Sequence, residues 1–242
     1  MAPIEWQIAP APDAQSYDTA GFPVQLYQGN IINFGGNWTF PDLSLLPRGL
    51  SIEVPVVKPW NGRDIQQTID LAYRTIELVA ERGNTVTRFT MDEPFTGGIM
   101  AGIGALEVIN FTQQWIDAMP PEIELILIEA VPQWQPEHVN GFMAHLTGLH
   151  GLHLDVDHNR AVKEGFSAQR LLEIEGVTGL IMWGWNEGSE RTFVEAAKAQ
   201  FKWFNTVYNG RWPKTFISQS WMWGLPTRRL VELLGYARNR IL

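Results

Sequence analysis

The chain contains no cysteine. Disulfide staples, thiol nucleophiles and thiolate metal sites are therefore excluded, while every redox compartment stays open. No run of about 18 apolar residues is present, so no membrane-spanning helix is expected. No signal-peptide pattern is visible either, and the protein is expected to be soluble, cytoplasmic or secreted with its signal removed. Positive charge is scarce: 18 Lys and Arg face 26 Asp and Glu, a formal net charge of −8. That balance argues against nucleic acid or an anionic membrane as the main partner. The one basic cluster is Arg228-Arg229, and no glycine-rich phosphate loop is found.

What is present is a 242-residue chain, 45% hydrophobic, with eleven tryptophans, many of them beside acids. That is enough to bury a sizeable core. From residue 84 onward, apolar strand-like runs alternate with amphipathic helical patterns. The runs Val86–Met91, Ile123–Ile128, Gly151–Val156, Leu180–Met182 and Thr215–Ser220 read as buried strands. Helices are predicted between about Gly98 and Ala118, over Gln135–Leu146 and Ser167–Ile174, from Val194 to a stop at Gly210, and over Thr227–Ile241. Before residue 84 the pattern is less regular. Ile4–Ile8, Val24–Phe34 and Leu50–Val57 read as strands, and a helix marked by Ile65, Ile69, Ala72, Ile76 and Val79 follows a cap at Asn61, ending at Gly83.

Alternating strands and helices imply a parallel sheet, and the strand count reaches eight. Eight strands, with a length near the ~250 residues typical of the fold, predict one α/β domain over residues 1–242, a (β/α)8 TIM-like barrel with irregular first strands. An open doubly wound sheet is the alternative, but it usually carries a phosphate-binding glycine turn after its first strand.

The barrel puts its chemistry at strand C-termini. Those ends carry Glu53, Asp92-Glu93, Glu129, Asp155 and Asp157, Asn186-Glu187, and Trp221 with Trp223. A ring of carboxylates is costly because like charges raise one another's pKa, so such crowding points to function. Trp60, Phe95, Trp134, Trp183, Trp185, Trp221 and Trp223 lie at the same ends. Flat apolar faces beside hydrogen-bonding acids suit pyranose rings; the bland alternative is that each Trp caps the barrel core. Asp92, Glu93 and Glu187 have a plain reading too, as acids at helix N-termini.

Asp92-Glu93-Pro94 after strand four, Glu187 after strand seven and Trp221 or Trp223 after strand eight resemble the large clan of retaining (β/α)8 glycoside hydrolases. The clan typically has Asn-Glu-Pro at the first of these positions, so Asp92 departs from its pattern. The resemblance implies Glu93 as acid/base, Glu187 as nucleophile and a carbohydrate substrate, with no cofactor. Glycoside cleavage needs such a pair of carboxyl groups. Glu129 is a further candidate, as an alternative acid/base or a substrate ligand. Asp92, Trp134, Asp155, Asp157, Trp183, Trp185, Asn186, Trp221 and Trp223 are expected to contact substrate.

Two other functions fit the same barrel. His153, Asp155 and Asp157 share one face of an extended strand, with His150 and His158 nearby, and such a set could hold a divalent metal for a hydrolase or lyase. A non-catalytic sugar-binding barrel would use the tryptophans alone.

Overall fold

A computed structural model describes residues 3–32, 39–56, 64–184 and 188–241. Its strands are Glu5–Ala9 (β1), Gln25–Tyr27 (β2), Leu50–Val54 (β3), Val86–Asp92 (β4), Glu124–Val131 (β5), Gly151–Val156 (β6), Val177–Met182 (β7) and Thr215–Gln219 (β8). They form a single parallel sheet in the order β1-β8-β7-β6-β5-β4-β3-β2. The two ends of that order approach each other: Ile8 bridges Val24 in parallel, and the Ile8 amide donates to the Pro23 carbonyl at 3.0 Å. The result is a nearly closed (β/α)8 TIM-like barrel.

Helices fill the outside: Gly29–Ile32 (α1), Ile65–Glu81 (α2), Pro94–Met100 (α3), Ala105–Ala118 (α4), Pro136–Met143 (α5), His158–Glu164 (α6), Glu190–Tyr208 (α7) and Thr227–Ile241 (α8). Short 3-10 turns cover Leu43–Leu45 and Ala168–Glu173. Among the described residues no helix is long and apolar enough to cross a membrane. The outer faces of the strands meet these helices through aromatic layers. Phe89 of β4 packs on Trp115 of α4, and Phe216 of β8 packs on Phe201 of α7 and on Trp212.

Side chains alternate across each strand, so one fixed point assigns the whole lumen. Arg88 of β4 supplies it. Its guanidinium bonds Glu5 of β1 at 2.9 Å and Glu124 of β5 at 2.7 Å. β1 and β4 are not neighbours in the sheet, so this contact runs through the barrel. Thr215 of β8 adds a 3.4 Å bond to Glu5, and Lys214 lies 3.5 Å from Glu124. These residues begin their strands or lie near the start, so an ionic cluster closes the N-terminal end of the barrel.

Above it sits His153, fully buried against Gly179, where a β-carbon would lie 2.3 Å from the imidazole. Only glycine leaves the ring its place. Burial, reinforced by the charges of Arg88 and Lys214, pushes the imidazole down to about 3.

Several boundaries differ from the sequence expectation. The second strand stops at Tyr27 instead of running to residue 34, because Ile31 and Ile32 turn back to donate to the Gln28 carbonyl. The Asn30 amide locks that turn, donating to the Pro12 and Thr39 carbonyls at 2.8 and 2.9 Å. α2 is capped by Asp64, whose carboxylate accepts from the amides of Gln66 and Gln67; the expected cap, Asn61, lies outside the described residues. The long helix expected over 98–118 is two helices, broken where Gly102 takes φ +74°. β5 runs three residues beyond Ile128.

Candidate active site

The C-terminal mouth is built by continuing the parity of Arg88 upward. On β4 this brings Thr90 and Asp92 inward, on β3 Ser51 and Glu53, on β6 His153 and Asp155, and on β8 Gln219. Glu53 is buried; its carboxylate accepts from Gln25 at 2.7 Å and, across the lumen, from Gln219 at 3.5 Å. Asp155 accepts the indole N–H of Trp183 at 2.7 Å. Trp183 is itself held by the α7 residue Gln200, whose amide oxygen takes the Trp183 backbone N–H and whose nitrogen donates to Val156, both at 2.8 Å.

Tyr27 of β2 faces inward in register with Glu53. Its hydroxyl donates to the Ser220 carbonyl at 3.0 Å, and its ring lies 3.9 Å from that of Trp221, tilted by 40°. The hydroxyl pKa is raised well above its ordinary value, first by burial and then by the charges of Glu53, Asp92 and Asp155, against a hydrogen bond from Gln219. Three carboxylates from three strands thus act on one phenol. Such like-charge crowding is expensive in a low-dielectric interior, which makes this end of the barrel the candidate site.

The expected residues therefore divide. Asp92, Asp155, Trp183 and Trp221 converge on the mouth. Trp185, Asn186 and Glu187 lie outside the described residues, as does Trp60. Trp223 is 53% exposed just beyond the mouth residues. Asp157 lies past the end of β6, where its carboxylate caps α6 by accepting from the Arg160 amide at 2.8 Å. That placement separates Asp157 from His153 and Asp155, the set considered for a metal, because the extended register they would share ends at Val156. Among the described residues no group of three His, Cys, Asp or Glu side chains is arranged to hold a metal ion.

Glu93 and Glu129 form a second locus beside the mouth. Glu93 follows Asp92 directly and adopts φ 48°, ψ 53°, a left-handed conformation that costs a non-glycine residue roughly 1–2 kcal/mol. Outliers of this kind cluster at functional sites. Glu129 has the opposite parity to Ile128 and Ala130, so it faces outward beneath α3. There it accepts from the amides of Phe95 and Thr96 at 2.7 and 3.2 Å and from the Thr96 hydroxyl at 2.8 Å. The Trp134 indole donates to the same Thr96 oxygen at 3.0 Å. Burial outweighs these donors and, with the charge of Glu93, pushes the Glu129 carboxyl up to about 8.

Sequence reasoning missed Tyr27 and Gln219 and gave Glu53 no role. A strand-end rule that counts only acids and tryptophans passes over them; the signal was their inward parity with Glu53 and Asp92.

No protein-family model matches the chain, and no curated protein is detectably similar to it.

Proposed function

We propose that this barrel is a glycoside hydrolase acting at its C-terminal mouth. The observation that carries the reading is the inward placement of Glu53, Asp92 and Asp155 on three strands at the C-terminal mouth, beside the indoles of Trp183 and Trp221. Carboxylates accept hydrogen bonds from sugar hydroxyls, and indole faces match the C–H faces of a pyranose ring. In this reading Glu93 protonates the departing glycosidic oxygen and later activates water, while Glu187 attacks the anomeric carbon. A retaining course requires these carboxyl groups ~5–5.5 Å apart in the working enzyme, whereas ~6.5–9.5 Å leaves room for water and gives inversion. The left-handed backbone of Glu93 supports its role, since strain is tolerated where a side chain must be aimed.

The test is a panel of aryl glycosides and oligosaccharides assayed with the parent, Glu93→Gln and Glu187→Ala. Glu93→Gln is expected to slow substrates with poor leaving groups far more than activated ones. Glu187→Ala is expected to lose both, with added azide restoring cleavage to an inverted glycosyl azide. Wild-type rates in both variants would refute the assignment of the two residues. Oligosaccharide binding by the parent without release of reducing ends would make the barrel a sugar-binding module instead.

A further inference from the structure

Glu129 is fully buried and lies outside the barrel lumen, so the reaction proposed above makes no direct use of it. Its three hydrogen-bond donors all belong to Phe95 and Thr96, the second and third residues of α3. The first amides of a helix have no partner within it, and the residue preceding the helix ordinarily supplies one from its own side chain. Here that residue is Glu93, which makes no side-chain capping bond. Glu129, on the neighbouring strand, performs the capping in its place.

The arrangement clips the chain on both sides of Glu93. Before the turn, the Glu93 amide donates to the Ile128 carbonyl at 3.0 Å. After it, Phe95 and Thr96 are drawn onto the Glu129 carboxylate. The two anchors are consecutive residues of β5, one contributing a carbonyl and the other a side chain. Between them lies the left-handed turn. The Thr96 hydroxyl donates to Glu129 while accepting from the Trp134 indole, which orients the whole clamp.

We infer that Glu129, with Thr96 and Trp134, is a positioning device that caps α3 in place of Glu93 and holds Glu93 in its left-handed conformation, the turn that aims its carboxyl in the proposed reaction. The catalytic half of this statement rests on the glycosidase reading; the backbone half does not.

The experiment compares the parent with Glu129→Ala and Thr96→Val in two measurements. Crystal structures of the variants are expected to show Glu93 relaxed to negative φ, most fully in Glu129→Ala. The ratio of kcat/KM between activated aryl glycosides and unactivated glycosides is expected to rise by at least ~10-fold, because general acid catalysis contributes ~10²–10⁴-fold and only the unactivated substrates need it. A loss of packing alone would lower thermal stability and slow both substrate classes alike. Glu129→Gln keeps an acceptor for the Phe95 amide but turns an NH2 toward Thr96; it is expected to fall between parent and alanine variant, and it carries the test if the alanine variant does not fold. Glu93 retained near φ 48° in every folded variant would overturn the inference, and so would relaxation without a change in the ratio. If the parent cleaves no glycoside, the glycosidase reading falls, and the backbone of Glu93 alone decides whether the clamp exists.

Discussion

The pH dependence of stability tests the two buried groups that flank the site, because their protons pull in opposite directions. His153 titrates near 6.5 in the unfolded chain and at about 3 in the fold. Between those values the unfolded state holds the extra proton, so stability is present above pH 6.5 and is lost as pH falls. Glu129 titrates near 4.5 unfolded and at about 8 folded. Between those values the folded state holds the extra proton, so stability is present below pH 4.5 and is lost as pH rises. From pH 4.5 to 6.5 the two slopes cancel, and a plateau is expected. Above it, of the two, Glu129 acts: from pH 6.5 to 8 it removes about 2 kcal/mol, at about 1.4 kcal/mol per unit. Below it, from pH 4.5 to 3, His153 removes a similar amount, again about 2 kcal/mol. The depressed carboxyl of Glu124, held down by Arg88 against its burial, steepens this acid limb. The half-buried His158, whose pKa burial lowers, tilts the plateau slightly in the sense of His153.

The measurement is urea unfolding followed by tryptophan fluorescence at half-unit steps from pH 3 to 9, for the parent and for Glu129→Gln. The variant loses height through its disturbed α3 cap, so the slope is the readout. Glu129→Gln is expected to lose the decline above pH 6.5 and to acquire a rise of about 1.4 kcal/mol per unit across the former plateau. An alkaline decline of parental steepness in the variant would refute the reasoning.

Two further perturbations separate scaffold from site. Gly179→Ala sets a methyl group 2.3 Å from the His153 ring; it is expected to destabilise the barrel by about 1–3 kcal/mol in thermal or urea unfolding, with most of the loss recovered in the double variant with His153→Ala. Trp223→Ala, at an exposed position, is expected to change stability by less than ~0.5 kcal/mol while weakening oligosaccharide binding measured calorimetrically. Trp183→Ala, by contrast, empties a buried position and removes a hydrogen-bond donor from Asp155, and a cost of ~3–5 kcal/mol is expected.

Much of the barrel was legible because its periodicities are clean. Gly151–Val156 and Thr227–Ile241 have the bounds their hydrophobic patterns predict. The first strands were harder to read for a physical reason. β2 has three residues, and its pairing with β1 is a bridge at Ile8 and Val24, so few side chains register as a strand. What holds that edge is long-range: the Asn30 amide on Pro12 and Thr39, and the Tyr27 hydroxyl on Ser220. No local pattern encodes such bonds. α6 escaped notice because its start depends on Asp157, which was assigned to the site instead of to the cap it forms.

The candidate site shows where strand-end reasoning works and where it needs the third dimension. A carboxylate ending a strand can face the lumen or the helices, and sequence parity alone does not say which, since the origin of the alternation is unknown. Arg88 provides that origin through its contact with Glu5 across the barrel. Counted from it, Asp92 and Asp155 face inward, whereas Glu129, two residues before the end of β5, faces the start of α3. Asp157 has the inward parity of Asp155, but the strand ends at Val156, and a residue beyond the last pleat no longer obeys the alternation. Glu93 is the complementary case. As the residue after Asp92 it would point outward on a continued strand, and the left-handed turn at φ 48° releases it from that parity. The bonds that flank the turn come from Ile128 and Glu129 on the next strand. If Glu93 is the acid/base proposed above, its placement depends on β5 as much as on its own segment, and substitutions on β5 are expected to alter cleavage without touching the lumen.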